Sequence, residues 1–464
     1  MAELRLGELA ARMKGTVVQG DPERLFRSYG IDSRKAARGE LFFAIRGARD
    51  GHAFVADAAA RGASGAVVSS TESLGPLPPD FGLVKVADTT AALQDLAAGL
   101  VKDFNPRIVG ITGSVGKTTT KEFAAALLGR KFRLIKSEGN FNNHLGLALS
   151  LLRLEKAHRA AVLEMAMSAA GEIRLLTRIA PPDVAVITNI NPVHLEFFNS
   201  LEAIARAKKE ILDGAKKSAK AVLNADDALV MDAAREFRGD KITFGLSEGS
   251  HIRAEEVVFA GLEGIRFRLK YGSRKADLRL PFLTEGYVQN FLAACGAASA
   301  MAVGLEEIVA RASELKPFDR RGSVHRLGRN IVLIDDSYNS NPRALATALR
   351  GLGRIPAERR VAVLGDMLEL GPREAEFHAE AGQEAVASGW QVLVTVGPLS
   401  RGAAQAARQA GLDPARITSF DDSGQAGRVV PGLVRPGDLV LVKGSHGMRM
   451  DIIADSILEA FKET

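Results

Sequence analysis

A lysine followed by hydroxyls at the opening of a helical pattern, with glycines just before it, is chemistry for holding phosphate. The stretch from Arg107 to Thr120, RIVGITGSVGKTTT, has this order: an apolar run (Ile108, Val109, Ile111), glycines at Gly110, Gly113 and Gly116, then Lys117, Thr118 and Thr119. Glycines let successive backbone N–H groups turn inward as an anion nest, so Gly113, Ser114, Val115 and Gly116 are expected to cradle the phosphates of a nucleotide. Lys117 would reach the β and γ phosphates, and the Thr118 hydroxyl would sit on magnesium. The strict phosphate-loop spacing is missed by one residue, because Ile111 stands where the first glycine belongs. A plain glycine-rich turn is the competing reading.

Other side chains gain meaning from that loop. Glu164 ends the apolar run RAAVLEM, so its carboxylate should emerge at the same sheet edge and could hold magnesium directly or through water; alone it would be a surface residue. His194 follows DVAVITNI in the loop NPVHLEFF and is a candidate metal or phosphate ligand, or a structural loop histidine. Lys208 lies in LEAIARAKKEIL, where nothing in the spacing separates it from Lys209. Asn140, Asn142 and Asn143 in SEGNFNNHLG favour turns and can offer amides to a ligand. Asp335 and Asp336 end an apolar run in DDSYNSNP. They could contact a ribose or an amine, or a neighbouring Ser or Asn could simply cap the helix that the proline starts.

These residues need a sheet edge to converge on. RIVGIT, RLIK, AAVLEMA, DVAVITNI, KAVLNAD and KITFG read as buried strands separated by helical runs such as Leu201 to Leu212, which argues for a parallel sheet covered on both faces. His251 to Phe282 instead alternates apolar and polar residues, suggesting an antiparallel addition. NIVLIDD, RVAVLGD, QVLVTVG, RITSF and DLVLVKG predict a second doubly wound sheet. Before Asn105 and Pro106, LFFAI, GAVVSS and GLVKVAD, with a helix near Phe54 to Arg61, form a smaller unit. The expected fold is therefore α/β with three domains, at residues 1–104, 105–315 and 316–464: a small mixed N-terminal domain, a central phosphate-loop ATPase domain and a C-terminal Rossmann-like domain. Chemistry is expected where the carboxyl ends of the two large sheets face each other.

Composition narrows the class. Of 464 residues, 46% are hydrophobic and 25% charged, ordinary for globular protein of about two to four domains. The single cysteine, Cys295, lies in an apolar run and excludes a disulfide framework; it reads as a buried small hydrophobe in a reducing compartment. No run of about 18 apolar residues occurs, nor a signal-peptide pattern, so no membrane partner is expected and a cytoplasmic location is. The net charge of +6 is dispersed among acids and aromatics are only 6%, which argues against nucleic acid and leaves anionic small substrates compatible. The eight histidines form no metal-ligand spacing of the HExxH kind.

With these motifs in place, the chain resembles the Mur ligases of peptidoglycan synthesis over all three units, and within them the dipeptide-adding member. GITGSVGKTTTKE looks like the family's phosphate loop, SEGNFNNHLGL its asparagine loop, and ITNINPVHLEFF with AKKEI its metal-side loop and lysine helix. IDDSYNSNP, VLGDMLELG and LVKGSHGMRMD are similar to the dipeptide-adding pattern, and IDSRKAARGELFFAIRG with DGHAFVADAAARGA to the domain that holds the UDP end of the substrate. The resemblance implies a monomer that uses ATP and Mg2+ to join D-alanyl-D-alanine to UDP-N-acetylmuramoyl-tripeptide through an acyl phosphate. It implies that Lys117, Glu164, His194 and Lys208 are catalytic, with Thr118, Glu164, His194 and a carbamate on Lys208 around the metal. It further implies Asn290 at the adenine, Arg321 at the γ phosphate, Asp336 at the ribose, Ser33 and Arg34 at the UDP moiety, the asparagine loop with Asn142 and Asn143 at the substrate, and Asn339 and Asn341 near the dipeptide. Three places depart from the family pattern: Ala166 replaces a glycine, Thr284 to Tyr287 replaces the run before the adenine asparagine, and Arg320 replaces the glycine before Arg321, which leaves both arginines as candidates for the phosphate. A ligase adding one amino acid, a folate polyglutamate ligase, or a switch protein that hydrolyses ATP slowly are the alternatives.

Overall fold

The computed structural model describes residues 3–72, 74–192, 198 and 200–462. The phosphate-loop sequence forms strand β1 (Arg107–Thr112), third from one edge of a nine-stranded sheet, and helix α1 (Lys117–Leu128). The sheet continues through β2 (Leu134–Lys136), helix α2 (His144–Leu151), β3 (Ala160–Glu164), β4 (Val184–Ile187), helix α3 (Leu201–Asp213), β5 (Lys220–Asn224) and β6 (Lys241–Gly245). It is completed by β7 (Ile252–Phe259), β8 (Ile265–Tyr271) and β9 (Arg274–Leu280), followed by helix α4 (Glu285–Ala300). Strand order is β9-β8-β7-β6-β5-β4-β1-β3-β2. The strands from β7 to β2 in that order run parallel, while β8 and β9 pair antiparallel, as the change to alternating pattern predicts.

Every residue of β3 and β4, and every residue of β1 after Arg107, is buried. Continuous apolar runs of this kind have no solvent face, so helices must cover both sides. On one side α1 packs on α4, where the Phe123 ring meets Phe282 and Phe291 edge-on at centroid distances of 5.0 and 5.7 Å, with Phe318 at 5.3 Å. Such pairs contribute about 0.5–1.5 kcal/mol each beyond burial; here they fix the phosphate-loop helix against the segment leading to the next sheet. Cys295 on α4 is a buried free thiol, and burial pushes its pKa well up.

The C-terminal sheet has six strands: β10 (Ser323–Leu327), β11 (Ile331–Asp336), β12 (Arg359–Gly365), β13 (Val392–Val396), β14 (Ile417–Phe420) and β15 (Asp438–Lys443), with helices α5 (Pro342–Gly353) and α6 (Asp451–Ala460) among its layers. Five strands are those expected. The sixth, β10, is an antiparallel edge strand whose polar residues, SVHRL, hide it from an apolar-run reading. The N-terminal sheet is built from Gly65–Val68, Glu40–Phe43, Gly82–Lys85, Thr16–Gln19 and Ser28–Gly30. Helix Thr89–Phe104 closes that unit, ending on Asn105 in the left-handed conformation (φ 43°). Its apolar face is buried in one continuous core with both the N-terminal sheet and the central one.

Candidate active site

The glycines of the phosphate loop are required by their neighbours. Gly113 has φ +148°, and a Cβ there would lie 1.9 Å from Thr188 Oγ1; Gly116 has φ +85°, and its Cβ would lie 2.0 Å from Asn290 Oδ1. Asn290 on α4 therefore packs directly on the loop. The loop is held from the end of β4: Thr188 Oγ1 and Asn189 Nδ2 donate to the Val115 carbonyl at 2.7 and 2.9 Å. Asn189 Oδ1 accepts the Val115 N–H at 2.9 Å. Ser114 Oγ donates to the Asn191 carbonyl and accepts its N–H, at 3.0 and 2.8 Å. Thr188, Asn189 and Asn191 were not singled out from sequence, although the polar run TNIN at a strand end was the signal. Lys117 Nζ folds back on the Gly113 and Ser114 carbonyls at 2.7 and 3.2 Å. Enclosure lowers its pKa, against the pull of Glu164.

Glu164 stands beside Ile111 in the register of β3 on β1, so the strand order delivers its carboxylate to the loop. It is 2% exposed. Thr118 Oγ1 donates to Oε2 at 2.8 Å, and Asn142 Nδ2 to Oε1 at 3.0 Å. The Ala166 N–H donates to the Asn142 carbonyl at 3.0 Å, which fixes the turn where the family pattern has glycine. Among the described residues no group of three or more His, Cys, Asp and Glu could enclose a metal. A hydroxyl and one buried carboxylate at a phosphate loop suit magnesium, which keeps waters and takes one or two carboxylates plus substrate phosphates. His194 lies outside the described residues.

The structure separates the two lysines that spacing could not. Lys208 on α3 is 2% exposed, and its pKa is driven well down by burial and then by the Lys117 ammonium. Lys209 reaches the surface and pairs with Glu236 at 2.8 Å. Asn143 caps α2, its Oδ1 accepting from Leu145 and Gly146 N–H at 3.2 and 2.9 Å, so only its amide donors remain for a ligand.

From the C-terminal unit, Arg321 brings its guanidinium to the same cleft, 4.0 Å from the Tyr338 ring centroid, where its charge acts on Lys117. Arg320 also lines this cleft, but its guanidinium is held by Asp451 and Asp455 at 3.2 and 3.0 Å. Its φ of +56° explains why glycine suits that position. Tyr287 stacks on Phe282 at 4.6 Å and donates its hydroxyl to the Arg321 carbonyl at 2.5 Å. Asp336 accepts from Lys443 Nζ at 2.6 Å, and the same amine donates to the Asn339 carbonyl at 2.9 Å. Asn339 Oδ1 accepts the Ser340 N–H at 2.9 Å, and Asn341 caps α5 by accepting the Ala344 N–H at 3.0 Å. Arg343 Nη1 crosses to Asn191 Oδ1 at 2.6 Å, joining the two sheets' loops. Thr118, Arg321, Ser337, Tyr338 and His446 help to line the resulting cleft, of about 470 Å³. Lys443 and Arg343 had no sequence signal beyond a basic residue near a strand end or helix start. Ser33 and Arg34 remain in the first unit: Ser33 is buried, and Arg34 pairs with Asp32 at 2.8 Å.

Residues 111–298 match the description Mur ligase middle domain, and residues 320–446 match Mur ligase, glutamate ligase domain. The chain is 33% identical over 468 residues to the UDP-N-acetylmuramoyl-tripeptide–D-alanyl-D-alanine ligase of Bacillus subtilis, covering 99% of each. Among solved structures, a crystal structure of MurF from Acinetobacter baumannii superposes with a TM-score of 0.89 at 30% identity, covering 99% of each chain. MurF ligase from Thermotoga maritima in complex with ADP gives 0.80 at 28%, covering 94% of this chain and 97% of its own. The phosphate loop, the buried glutamate beside it and likeness across the full length lead to one conclusion: the chain belongs to the Mur ligase family.

Proposed function

We propose that this protein is an ATP-dependent ligase that joins D-alanyl-D-alanine to UDP-N-acetylmuramoyl-tripeptide, giving the UDP-linked pentapeptide, ADP and phosphate in peptidoglycan precursor synthesis. The observation that carries this reading is the convergence of Lys117, Thr118 and the buried Glu164 on one loop, faced across a cleft by Arg321. In the reaction, a tripeptide carboxylate oxygen attacks the γ phosphorus and the bond to ADP breaks, leaving an acyl phosphate. The dipeptide amine then attacks the acyl carbon, and the tetrahedral intermediate expels phosphate while the nitrogen loses its proton. Such steps are accelerated by fixed positive charge and positioning rather than by an enzyme nucleophile. The loop amides and Lys117 hold the β and γ phosphates, and Arg321 meets charge on the group in transfer. Magnesium, when bound, neutralises phosphate charge; Thr118 and Glu164 would hold it, with His194 and Lys208 by resemblance to the family. A lysine amine combines with carbon dioxide only when unprotonated, and burial beside Lys117 favours that form at Lys208. The carbamate so formed is an anion that the Lys117 ammonium would stabilise.

The three units divide the substrates. Residues 1–104 hold the UDP end through Ser33 and Arg34. Residues 105–315 bind ATP, with Asn290 at the adenine. Residues 316–464 bring Asp336 to the ribose and Asn339 and Asn341 to the dipeptide. Ser340 in the same loop has a buried hydroxyl with no hydrogen-bond partner among the described residues, which supports a polar ligand there. A cytoplasmic monomer is part of this proposal; no helix among the described residues is long and apolar enough to cross a membrane. The loops DDSYNSNP and LGDMLELG favour a dipeptide over a single amino acid or a folate. The test is phosphate release from ATP and magnesium with the UDP-tripeptide and D-alanyl-D-alanine added singly and together, with the product followed by mass. Release requiring both, with a UDP-pentapeptide, is expected; release indifferent to both would leave only a nucleotide-hydrolysing switch.

A further inference from the structure

Lys121 lies one turn beyond Lys117 on α1 and is fully buried, and no step of the reaction above uses it. Its Nζ meets three acceptors: the Ser137 carbonyl at 2.8 Å, the Gly139 carbonyl at 3.3 Å and Glu122 Oε1 at 3.1 Å. An ammonium has three N–H donors, so each finds a partner. Ser137 and Gly139 open the asparagine loop. Ser137 Oγ accepts the Glu164 N–H at 3.1 Å, and three residues beyond Gly139 the Asn142 amide donates to Glu164 Oε1. Glu164 is therefore held at three points. Two are on the segment pinned by Lys121, and the third, Thr118, is on the helix that carries Lys121. An apolar side chain could fill a buried site without the desolvation cost of a charge; what the amine adds is a fixed distance between that helix and two loop carbonyls.

We propose that Lys121 is a positioning residue: it locks the asparagine loop, and through Ser137 and Asn142 the Glu164 carboxylate, in register with the phosphate loop. The proposal rests on the ligase reading above for its effect on turnover. Its geometric part does not depend on that reading.

The test uses the full chain and the substitution Lys121→Met, which keeps most of the apolar stem. With both substrates present, kcat is expected to fall about 10- to 100-fold, the scale of a small misplacement of reacting groups. KM for ATP, and ADP affinity measured without metal, should change by less than about threefold. Amide hydrogen exchange over residues 137–143 should accelerate in the absence of any ligand, while that of α1 stays at its original rate. Asn142→Ala should cost less kcat in the Lys121→Met background than alone, because both act on one contact. Ser137→Ala provides the same kcat-against-KM split should Lys121→Met not fold. Native kcat in folded Lys121→Met or in Ser137→Ala would overturn the proposal. So would unchanged exchange over 137–143, fully additive costs with Asn142→Ala, or a loss shared equally by kcat, ADP affinity and thermal stability, which marks an ordinary structural lysine. Failure of the wild type to require both substrates would instead overturn the ligase reading, leaving the exchange result to decide the loop contact.

Discussion

The Arg321 guanidinium lies 4.0 Å from the centroid of the Tyr338 ring, while that of its neighbour Arg320, in the same cleft, is held by Asp451 and Asp455. The two arginines are adjacent in sequence and opposite in use. Arg321→Ala should lower kcat about 10²- to 10³-fold, the scale for losing one preorganised charge on a transferring group. Arg320→Gly should leave kcat within about threefold. Glycine relieves about 1 kcal/mol of left-handed strain, roughly offsetting the partly exposed ion pairs it removes. Steady-state kinetics of the two variants decides the matter, and equal losses would end the distinction.

Lys117 Nζ is within hydrogen-bond reach of two loop carbonyls, and phosphates would compete for it. Lys117→Ala is expected to abolish ligation, with a loss of about 10²- to 10³-fold or more, while the unfolding temperature stays close to wild type. Near-normal turnover in a folded variant would sink the assignment of the loop.

Gly116 tests the loop from its backbone. Alanine there meets both a left-handed φ and Asn290 Oδ1 at 2.0 Å, whereas Gly171, at φ +90°, has nothing within 4 Å of an added Cβ. Both substitutions incur left-handed strain of about 1–2 kcal/mol. Only Gly116→Ala should also weaken ADP binding, by about tenfold or more, as read by calorimetry. Equal ADP affinity in the two would separate Asn290 from the nucleotide.

The order of strands and glycines made the central sheet and its loop legible in sequence, because β1, β3 and β4 are apolar apart from Arg107, Thr112 and Glu164 at strand ends. Parallel strands buried on both faces leave that pattern. The edge strand β10 left none, being half-solvated and polar. The same limit applies to side chains. Glu164 was found because it interrupts an apolar run, but Lys208 and Lys209 are consecutive on one helix, and only the rotation of α3 against the sheet decides which is buried. Arg343 bridges to Asn191 across 152 residues, a contact with no local signature.

Lys208 gives the last prediction. Burial and the Lys117 ammonium set its folded pKa well below that of an ordinary lysine, whereas the unfolded chain keeps its proton up to about pH 10.4. Between those two values the unfolded chain binds more protons, so stability rises with pH in that window and is lost as pH falls through the folded pKa. In carbon-dioxide-free buffer, Lys208→Met should flatten that slope in denaturant melts, whereas Lys209→Met, which removes a surface ion pair with Glu236, should retain it. In the ligation assay Lys208→Met should lose about 10²-fold or more, the scale of a group that fixes charge at the reacting centre, and Lys209→Met less than about twofold. Wild-type turnover should rise when bicarbonate is restored to depleted enzyme, since a carbamate needs both a neutral amine and carbon dioxide. Identical slopes and equally mild kinetic effects for the two lysines would reduce Lys208 to a packed side chain.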